Sequence, residues 1–262
     1  MIKNAYYRTV NFCKTFLKTC YKTSSDREKH IMLPLTVFIS GVLPFAFIPL
    51  YKEKGVIPSE FGSLYMLLLL PLPGMIIFFH SLLSKSNILC ISGLKAGMQA
   101  LNYNLVMCVA VLSMALNRGS FDLSVIGSRP VKGMELVLEI PIILLYILNT
   151  ALFDKNFIKE YADEYTGIGS LMLKAADAMI PLKEIVFFIT LYAGGNNGPF
   201  GWDHSFSILV IKTAIGMTAF KLISLNIPKL RTDQIIEMII NHLMIFTLLW
   251  LLFKTFILRT PA

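Results

Sequence analysis

Three carboxylates, Glu139, Asp177 and Glu184, fall inside stretches of the chain that are otherwise apolar. A charged side chain costs at least about 2.5–3.5 kcal/mol at the centre of a membrane helix, and a short carboxylate cannot extend far toward the aqueous interface. Such groups normally face the interior of a helix bundle or a hydrated cavity, where they can bind and release protons. We therefore interpret the three carboxylates as candidates for a proton path through the membrane.

Basic and polar side chains also recur inside the apolar stretches. Lys95 shares a helical face with Gln99, and Tyr103 lies beside that face, so Lys95 is a further proton-path candidate. The remaining lysines are better explained by snorkelling to the interface or by structural pairing: Lys183, Lys212 and Lys221. The His, Cys and Glu residues do not have the spacing of a metal site, so we expect no metal ion.

The elements that must hold these side chains are membrane helices, because the composition excludes a soluble domain. Some 55% of the 262 residues are hydrophobic and 15% are charged, whereas a soluble domain has about 45–50% and about 25%. A helix that crosses the bilayer core needs about 20 mostly apolar residues. Seven stretches meet this requirement: Ile31–Leu50, Leu64–Leu83, Ile88–Leu116, Met134–Phe153, Ile168–Ala193, Phe206–Ile227 and Ile235–Leu258. The sequence therefore predicts an all-α fold, a polytopic membrane helix bundle of about seven transmembrane helices.

The first 30 residues have a different pattern. Apolar residues such as Val10 and Leu17 recur at helical spacing, and lysines such as Lys14 form a parallel row. This pattern is typical of a basic amphipathic helix that lies in the membrane interface. We therefore predict two regions, an interfacial amphipathic segment over residues 1–30 and a transmembrane helical domain over residues 31–262.

The basic residues also predict how the chain is oriented in the membrane. The sequence has 24 Lys and Arg against 16 Asp and Glu, a net charge of +8. Much of this excess falls in the N-terminal segment and in the loops that contain Lys85, Lys155 and Lys229. Fewer basic residues, among them Arg118 and Arg129, fall on the opposite side. Because cytoplasmic and matrix loops are enriched in Lys and Arg, the richer side is predicted to face the cytoplasm or the matrix.

Three blocks of the sequence carry motifs. The first is Lys212-Thr213 with the later loop 227–234, which reads IPKLRTDQ. The second begins with EYTG at residues 164–167 and continues through Asp177, and the third has LKA at residues 94–96 within 86–105. At the same spacing, these blocks resemble membrane subunit 1 of respiratory complex I, the NADH:ubiquinone oxidoreductase, and its bacterial counterpart. By this resemblance, Asp177 stands at the family's intramembrane glutamate.

The resemblance implies a function in energy conversion. In that family the subunit forms the membrane part of the ubiquinone tunnel and joins the peripheral redox arm to the proton-pumping arm. It implies ubiquinone as the substrate, with no cofactor bound covalently or through a metal in this chain. It also implies the iron–sulfur and proton-pumping subunits of complex I as partners, and no nucleic acid. The implied location is the mitochondrial inner membrane, with the bacterial plasma membrane as the alternative.

The resemblance also adds candidate site residues. Glu164 joins the three carboxylates and Lys95 as a candidate for the proton path. Candidates for the quinone tunnel and the matrix loop are Phe16, Tyr103, Tyr165, Lys229, Arg231 and Asp233. No residue of this chain is expected to be a catalytic redox group, because a neighbouring subunit carries the iron–sulfur cluster that reduces quinone.

The chain also departs from the family pattern. Asn104 stands where the family has a glutamate, and Ser224 stands where it has an arginine. An amide cannot relay a proton as a carboxyl group does. The family has eight spans, and the seven predicted here lack the first, so we expect a separate short chain to supply it.

A degenerate scaffold subunit is one alternative, which the amide at Asn104 favours. Two other functions are also alternatives. One is a related membrane subunit of a membrane-bound hydrogenase, which would couple hydrogen chemistry to ion movement beside a nickel subunit. The other is a secondary ion transporter. Such transporters commonly have two related halves with broken helices, and this sequence shows no internal symmetry.

Overall fold

The computed structural model describes residues 24–50, 55–83, 87–152, 158, 162, 165, 168–198, 206–227 and 232–259. All regular elements in these ranges are helices. In chain order they are α1 (Ser24–Val42), α2 (Gly62–Leu69), α3 (Leu72–Leu83), α4 (Asn87–Arg118), α5 (Leu123–Ile126), α6 (Met134–Leu152), α7 (Ile168–Tyr192), α8 (Phe206–Asn226), α9 (Thr232–Met238) and α10 (Ile245–Arg259). A 3₁₀-helix, Leu43–Ala46, follows α1, and a π-helix, Ile239–Met244, joins α9 to α10.

The predicted class, an all-α membrane helix bundle, is confirmed. Within the described ranges, four segments are long and apolar enough to cross a membrane: Gly62–Leu83, Leu89–Arg118, Phe206–Asn226 and Ile239–Ile257. They coincide with four of the seven predicted spans. The other three predicted spans coincide with α1, α6 and α7.

The first predicted span, Ile31–Leu50, differs from the structure at both ends. The helix α1 begins earlier, at Ser24, and ends at Val42. Pro44 lies in the 3₁₀-helix that follows, and because proline has no N–H it cannot donate the hydrogen bond that would continue α1. Residues 1–23 lie outside the described residues, so the amphipathic interfacial helix stays a prediction.

The second predicted span, Leu64–Leu83, is two helices rather than one. The helix α2 ends at Leu69, and α3 begins at Leu72. Pro71 lies at the break, where its missing N–H and its ring disfavour a regular α-helix. The carbonyl of Leu70, at the break, accepts a hydrogen bond from the buried Lys183 Nζ at 2.6 Å. Of the two explanations given for this lysine, snorkelling and structural pairing, this contact agrees with pairing, with a backbone carbonyl as the partner.

The chain divides into two compact units, and the first consists of Met1–Val42, Leu72–Gly97 and Lys155–Ile180. Within this unit α1 packs against α3. The helix α4 approaches α3 so closely that a Cβ added to Gly93 would lie 2.0 Å from the Ser81 side chain. Small residues commonly allow membrane helices to approach each other in this way.

The second unit consists of Leu43–Pro71, Met98–Asp154 and Pro181–Ala262. Its core lies around the C-terminal parts of α4 and α7 and around α6, and α8 and α10 each pack against α6. Its fully buried side chains include Met107, Met114, Ile142, Tyr146 and Phe187. Two of the predicted carboxylates, Glu139 and Glu184, lie in this unit, so its packing determines their surroundings.

Candidate functional site

The carboxylate of Glu139 is fully buried on α6 and is bound by side chains from two other helices. Ser113 Oγ of α4 lies 2.8 and 2.9 Å from its two oxygens and donates to the carboxylate. One turn further along α4, Asn117 Nδ2 donates to Oε1 at 2.6 Å. Lys254 Nζ of α10 forms a direct ion pair with the same carboxylate. Three helices therefore converge on one buried negative charge.

Lys254 is as deeply buried as Glu139, and both side chains are 0% exposed. Its ammonium group also donates to the Ser113 carbonyl oxygen at 2.9 Å and to Ser113 Oγ at 2.6 Å. Trp250, one turn earlier on α10, donates from Nε1 to the Leu138 carbonyl at 2.8 Å and ties α10 to α6. Buried charges are tolerated only when they are paired and hydrogen-bonded, and both charges meet that requirement here.

A second group of charges leads from Glu139 toward the surface. Glu135 lies one turn before Glu139 on α6, 3.6 Å from Arg118 Nη2 and 3.2 Å from Arg129 Nη2. Arg118 follows Asn117 directly and also donates to the Arg129 carbonyl at 3.0 Å. The Arg118 side chain is 3% exposed, Glu135 is 34% exposed and Arg129 is 65% exposed. These groups connect the buried ion pair to the aqueous end of α4.

Tyrosine side chains fill the region between Glu139 and Glu184. Glu184 is 2% exposed and interacts electrostatically with Tyr103 and Tyr146. Tyr146 donates its hydroxyl hydrogen to the Glu184 carbonyl at 2.7 Å and packs edge-to-face on Tyr192, with ring centroids 6.4 Å apart. Tyr192 in turn interacts electrostatically with Glu139. Tyrosine side chains therefore lie within electrostatic range of both buried carboxylates.

Several buried polar atoms of the second unit have no hydrogen-bond partner among the described residues. They are Gln99 Oε1, Asn102 Oδ1, Asn149 Nδ2, Thr150 Oγ1 and Tyr192 Oη. Buried polar groups in proteins nearly always have a partner, which is often an ordered water molecule. These atoms therefore mark the region around the tyrosines as one suited to internal water.

The other predicted site residues are placed in different surroundings. Lys95 and Asp177 belong to the first unit, where Lys95 is exposed and Asp177 is partly buried with an interaction partner. The predicted face of Lys95 and Gln99 is thus exposed at Lys95 and buried at Gln99. Glu139, Glu184 and Tyr103 all lie in the second unit, where Tyr103 interacts electrostatically with Glu184.

Tyr165 is buried in the first unit, in the segment before α7, and its N–H donates to the Ala162 carbonyl at 3.2 Å. Burial raises the pKa of its hydroxyl to about 12, so this side chain is uncharged at neutral pH. The remaining quinone-tunnel, matrix-loop and proton-path candidates lie outside the residues whose side chains are described: Phe16, Glu164, Lys229, Arg231 and Asp233.

Lys212, the lysine of the first motif, has a structural role. Its ammonium group donates to the carbonyl oxygens of Ala193, Gly195 and Asn197 at 2.7, 2.9 and 2.7 Å. These carbonyls belong to the turn that ends α7, in which Gly194 has a φ of +72° that favours glycine. Lys212 therefore fixes this turn to α8, as expected for a structurally paired lysine.

Sequence reasoning missed three residues that hold Glu139: Ser113, Asn117 and Lys254. Lys254 stands near the end of the seventh predicted span, where a lysine normally snorkels to the interface. A weak signal was present, because Ser113 and Asn117 are one turn apart on a helix and form a polar face in an apolar span. The 115 residues between Lys254 and Glu139 leave no local signal of their pairing.

The fold and the site define a class of protein, a polytopic membrane subunit with an ionisable network buried in its helix bundle. Among the described residues no group of three or more His, Cys, Asp and Glu could hold a metal ion. The family model for NADH dehydrogenase matches residues 8–255. The chain belongs to the NADH dehydrogenase family and is a membrane subunit of that enzyme, as its motifs predict.

One similar protein is the H subunit of the NADH-quinone oxidoreductase from the bacterium Carboxydothermus hydrogenoformans. It is 23% identical over 240 residues, which cover 86% of this chain and 68% of that protein. The family match favours an NADH dehydrogenase subunit over a hydrogenase subunit or a secondary transporter.

Proposed function

We propose that this chain forms the membrane part of a quinone-binding tunnel and links quinone reduction to proton translocation. The family match and the quinone oxidoreductase subunit among its relatives support the first part. Two buried carboxylates, Glu139 and Glu184, with tyrosines between them and a lysine as counter-charge, support the second. This arrangement is the observation that carries the proposal.

The physical reason lies in the cost of burying charge. An anchoring helix would avoid ionisable residues, because each one is expensive in a bilayer, and buried ionisable residues mark ion and proton pathways. Tyrosine hydroxyls both donate and accept hydrogen bonds, so together with internal water they can pass a proton from Glu184 to Glu139. Lys254 keeps the positive charge that lets Glu139 return to its carboxylate form after each transfer.

The remaining sequence candidates have places in this scheme. Asp177, Glu164 and Lys95 would extend the path toward the quinone. The tunnel and the matrix loop would be formed by Phe16, Tyr103, Tyr165, Lys229, Arg231 and Asp233. Electrons would reach ubiquinone from an iron–sulfur cluster of a partner subunit, so this chain would bind quinone and move protons without a redox group of its own.

The partners would be the peripheral quinone-reducing arm and the proton-pumping membrane subunits of the same complex. The bacterial relative favours a plasma membrane as the location of this multi-pass protein. The mitochondrial inner membrane, which the sequence motifs imply, stays a prediction.

Glu184→Gln in the assembled complex tests the proposal. Glutamine keeps the size and hydrogen-bonding capacity of the side chain but cannot carry a proton, so protons translocated per NADH oxidised should fall. The measurement is proton uptake by liposomes that contain the complex, together with the rate of NADH-driven quinone reduction. Glu60→Gln is the control, because Glu60 lies exposed in the segment before α2. An unchanged proton-to-electron ratio in Glu184→Gln would contradict the role of this carboxylate.

A further inference from the structure

We propose that Arg118 and Glu135 form the outlet of the buried path, through which protons leave Glu139 for the aqueous phase at the C-terminal end of α4. This inference rests on the proposed function of Glu139 as a proton carrier. It assigns to this chain its own release site, formed by residues outside the motifs that carry the family resemblance.

The first argument is the continuity of the polar residues. Asn117 and Arg118 are consecutive on α4, and Asn117 donates directly to the Glu139 carboxylate. Glu135 and Glu139 are four residues apart on α6, so their side chains lie on one face with Cβ atoms roughly 5–6 Å apart. Exposure rises along this row, from 0% at Glu139 to 34% at Glu135 and 65% at Arg129. A proton that leaves Glu139 therefore has a nearby acceptor in contact with bulk water.

The second argument is the environment of the Arg118 guanidinium group. Its side chain is 3% exposed, and Nη2 is bound by the Arg129 carbonyl and lies near Glu135. Nε and Nη1 are buried with no partner among the residues that the structure describes. Buried guanidinium hydrogens are rarely left without an acceptor. They therefore indicate a water-binding position between Arg118 and the two glutamates.

The proton transfer from Glu139 to solvent conserves charge at each step. A proton arriving past Tyr192 binds the Glu139 carboxylate, and the centre then holds a neutral carboxyl beside the positively charged Lys254. Without its counter-ion, Lys254 is an unpaired buried charge, which is unfavourable and drives the proton off Glu139. The proton passes through water to the Glu135 carboxylate and then to solvent, and Glu139 pairs with Lys254 again. No electron moves in this step.

Arg118 restricts the passage of protons through the outlet. Its guanidinium group stays protonated at all relevant pH values and places a positive charge between the solvent and Glu139. Arg129 adds a second positive charge at the mouth. Both charges raise the electrostatic barrier to proton passage and so limit the passive leak, while Glu135 partly neutralises them and provides a proton acceptor. The orientation predicted from the loop charges places this outlet on the side opposite the cytoplasm or matrix.

The test uses the assembled complex in liposomes. Glu135→Gln should cause a loss of proton translocation per NADH oxidised, while quinone reduction measured with an uncoupler stays at the wild-type rate. Arg118→Gln should increase the passive leak of protons across the liposome membrane, and Arg118→Lys, which keeps the positive charge, should leak less. Lys132→Gln is the matched control, because Lys132 is exposed near the start of α6 and has no part in the row.

Glu139→Gln, measured in parallel, separates the two proposals. The outlet would be overturned, and the path left intact, by three results together. Translocation would be lost in Glu139→Gln but normal in Glu135→Gln, and the proton leak would be normal in both Arg118 variants. Normal translocation in Glu139→Gln would instead overturn the proposed path. If Glu135→Gln does not assemble, Glu135→Asp replaces it. The outlet would then be supported by wild-type translocation in Glu135→Asp and by a proton leak that is raised in Arg118→Gln but not in Arg118→Lys. A wild-type leak in both Arg118 variants would overturn it.

Discussion

The ion pair between Glu139 and Lys254 predicts that two substitutions which are each harmful will be tolerated together. Lys254→Met removes the ammonium group and keeps the length of the side chain. It leaves the Glu139 charge fully buried with only the neutral donors Ser113 and Asn117. Glu139→Gln combined with Lys254→Met removes both charges and leaves no unpaired ion in the bundle.

The magnitude follows from the burial of both partners. Because both side chains are 0% exposed, solvent does not screen the pair. Removing one partner of such a pair costs about 3–5 kcal/mol, whereas replacing both partners is often neutral or stabilising. Lys254→Met alone should therefore lower the free energy of unfolding by about 3–5 kcal/mol. That is a factor of roughly 10²–10⁴ in the unfolding equilibrium. The double variant should recover most of this loss.

The assay is denaturant-induced unfolding of the chain in bicelles, followed by circular dichroism for the wild type, both single variants and the double variant. An exposed pair gives the matched control. Arg129→Gln breaks an ion pair whose arginine is 65% exposed, and pairs of that kind contribute about 0–1 kcal/mol. Additive effects of Glu139→Gln and Lys254→Met, or a cost below about 1 kcal/mol for Lys254→Met, would refute the reasoning.

Three further predictions concern the parts of the fold that position this site. Lys183→Met should lower the free energy of unfolding by about 1.5–3 kcal/mol, because a charged hydrogen bond to the Leu70 carbonyl is lost. The control Lys221→Met, at an exposed lysine, should change it by less than about 0.5 kcal/mol. Denaturant titration measures both changes. Gly93→Ala should lower the free energy of unfolding by about 1–3 kcal/mol, because the added Cβ would overpack against Ser81. The same titration should show little change for the control Gly41→Ala, whose added Cβ would lie 3.7 Å from its nearest neighbour. Burial raises the pKa of Tyr165 to about 12, from about 10 in the unfolded chain. Between these pH values the folded state keeps a proton that the unfolded state has lost. The free energy of unfolding should therefore fall as pH rises from about 10 to about 12. A pH series of unfolding curves should show a smaller decline in Tyr165→Phe, and an equal decline would contradict this assignment.

The membrane class and the positions of the helices could be predicted because hydrophobic length is a local property of the chain. The break at Pro71 could not be located in the same way. Prolines are tolerated inside membrane helices when other groups satisfy the freed backbone. Here the Leu70 carbonyl, which lies at the break, is bound by Lys183, which is 113 residues away in sequence. Whether a proline bends a helix or divides it depends on such distant partners.

The candidate site was predictable only in part, for a related reason. Glu139 and Glu184 could be selected because short carboxylates inside apolar spans have few structural explanations. Lys254 could not, because a long lysine near a helix end ordinarily reaches the interface, and only the packing of α10 against α6 buries it. Helical periodicity grouped Lys95 with Gln99, but periodicity does not say where along α4 the surroundings change from exposed to buried.

Proton translocation by the double variant Glu139→Gln and Lys254→Met tests the central claim most directly, because this variant is expected to fold while it lacks the proton-carrying carboxylate. In liposomes that contain the assembled complex, protons translocated per NADH oxidised should be lost, while uncoupled quinone reduction continues at the wild-type rate. A wild-type proton-to-electron ratio in this variant would contradict the account of Glu139 as a carrier of translocated protons.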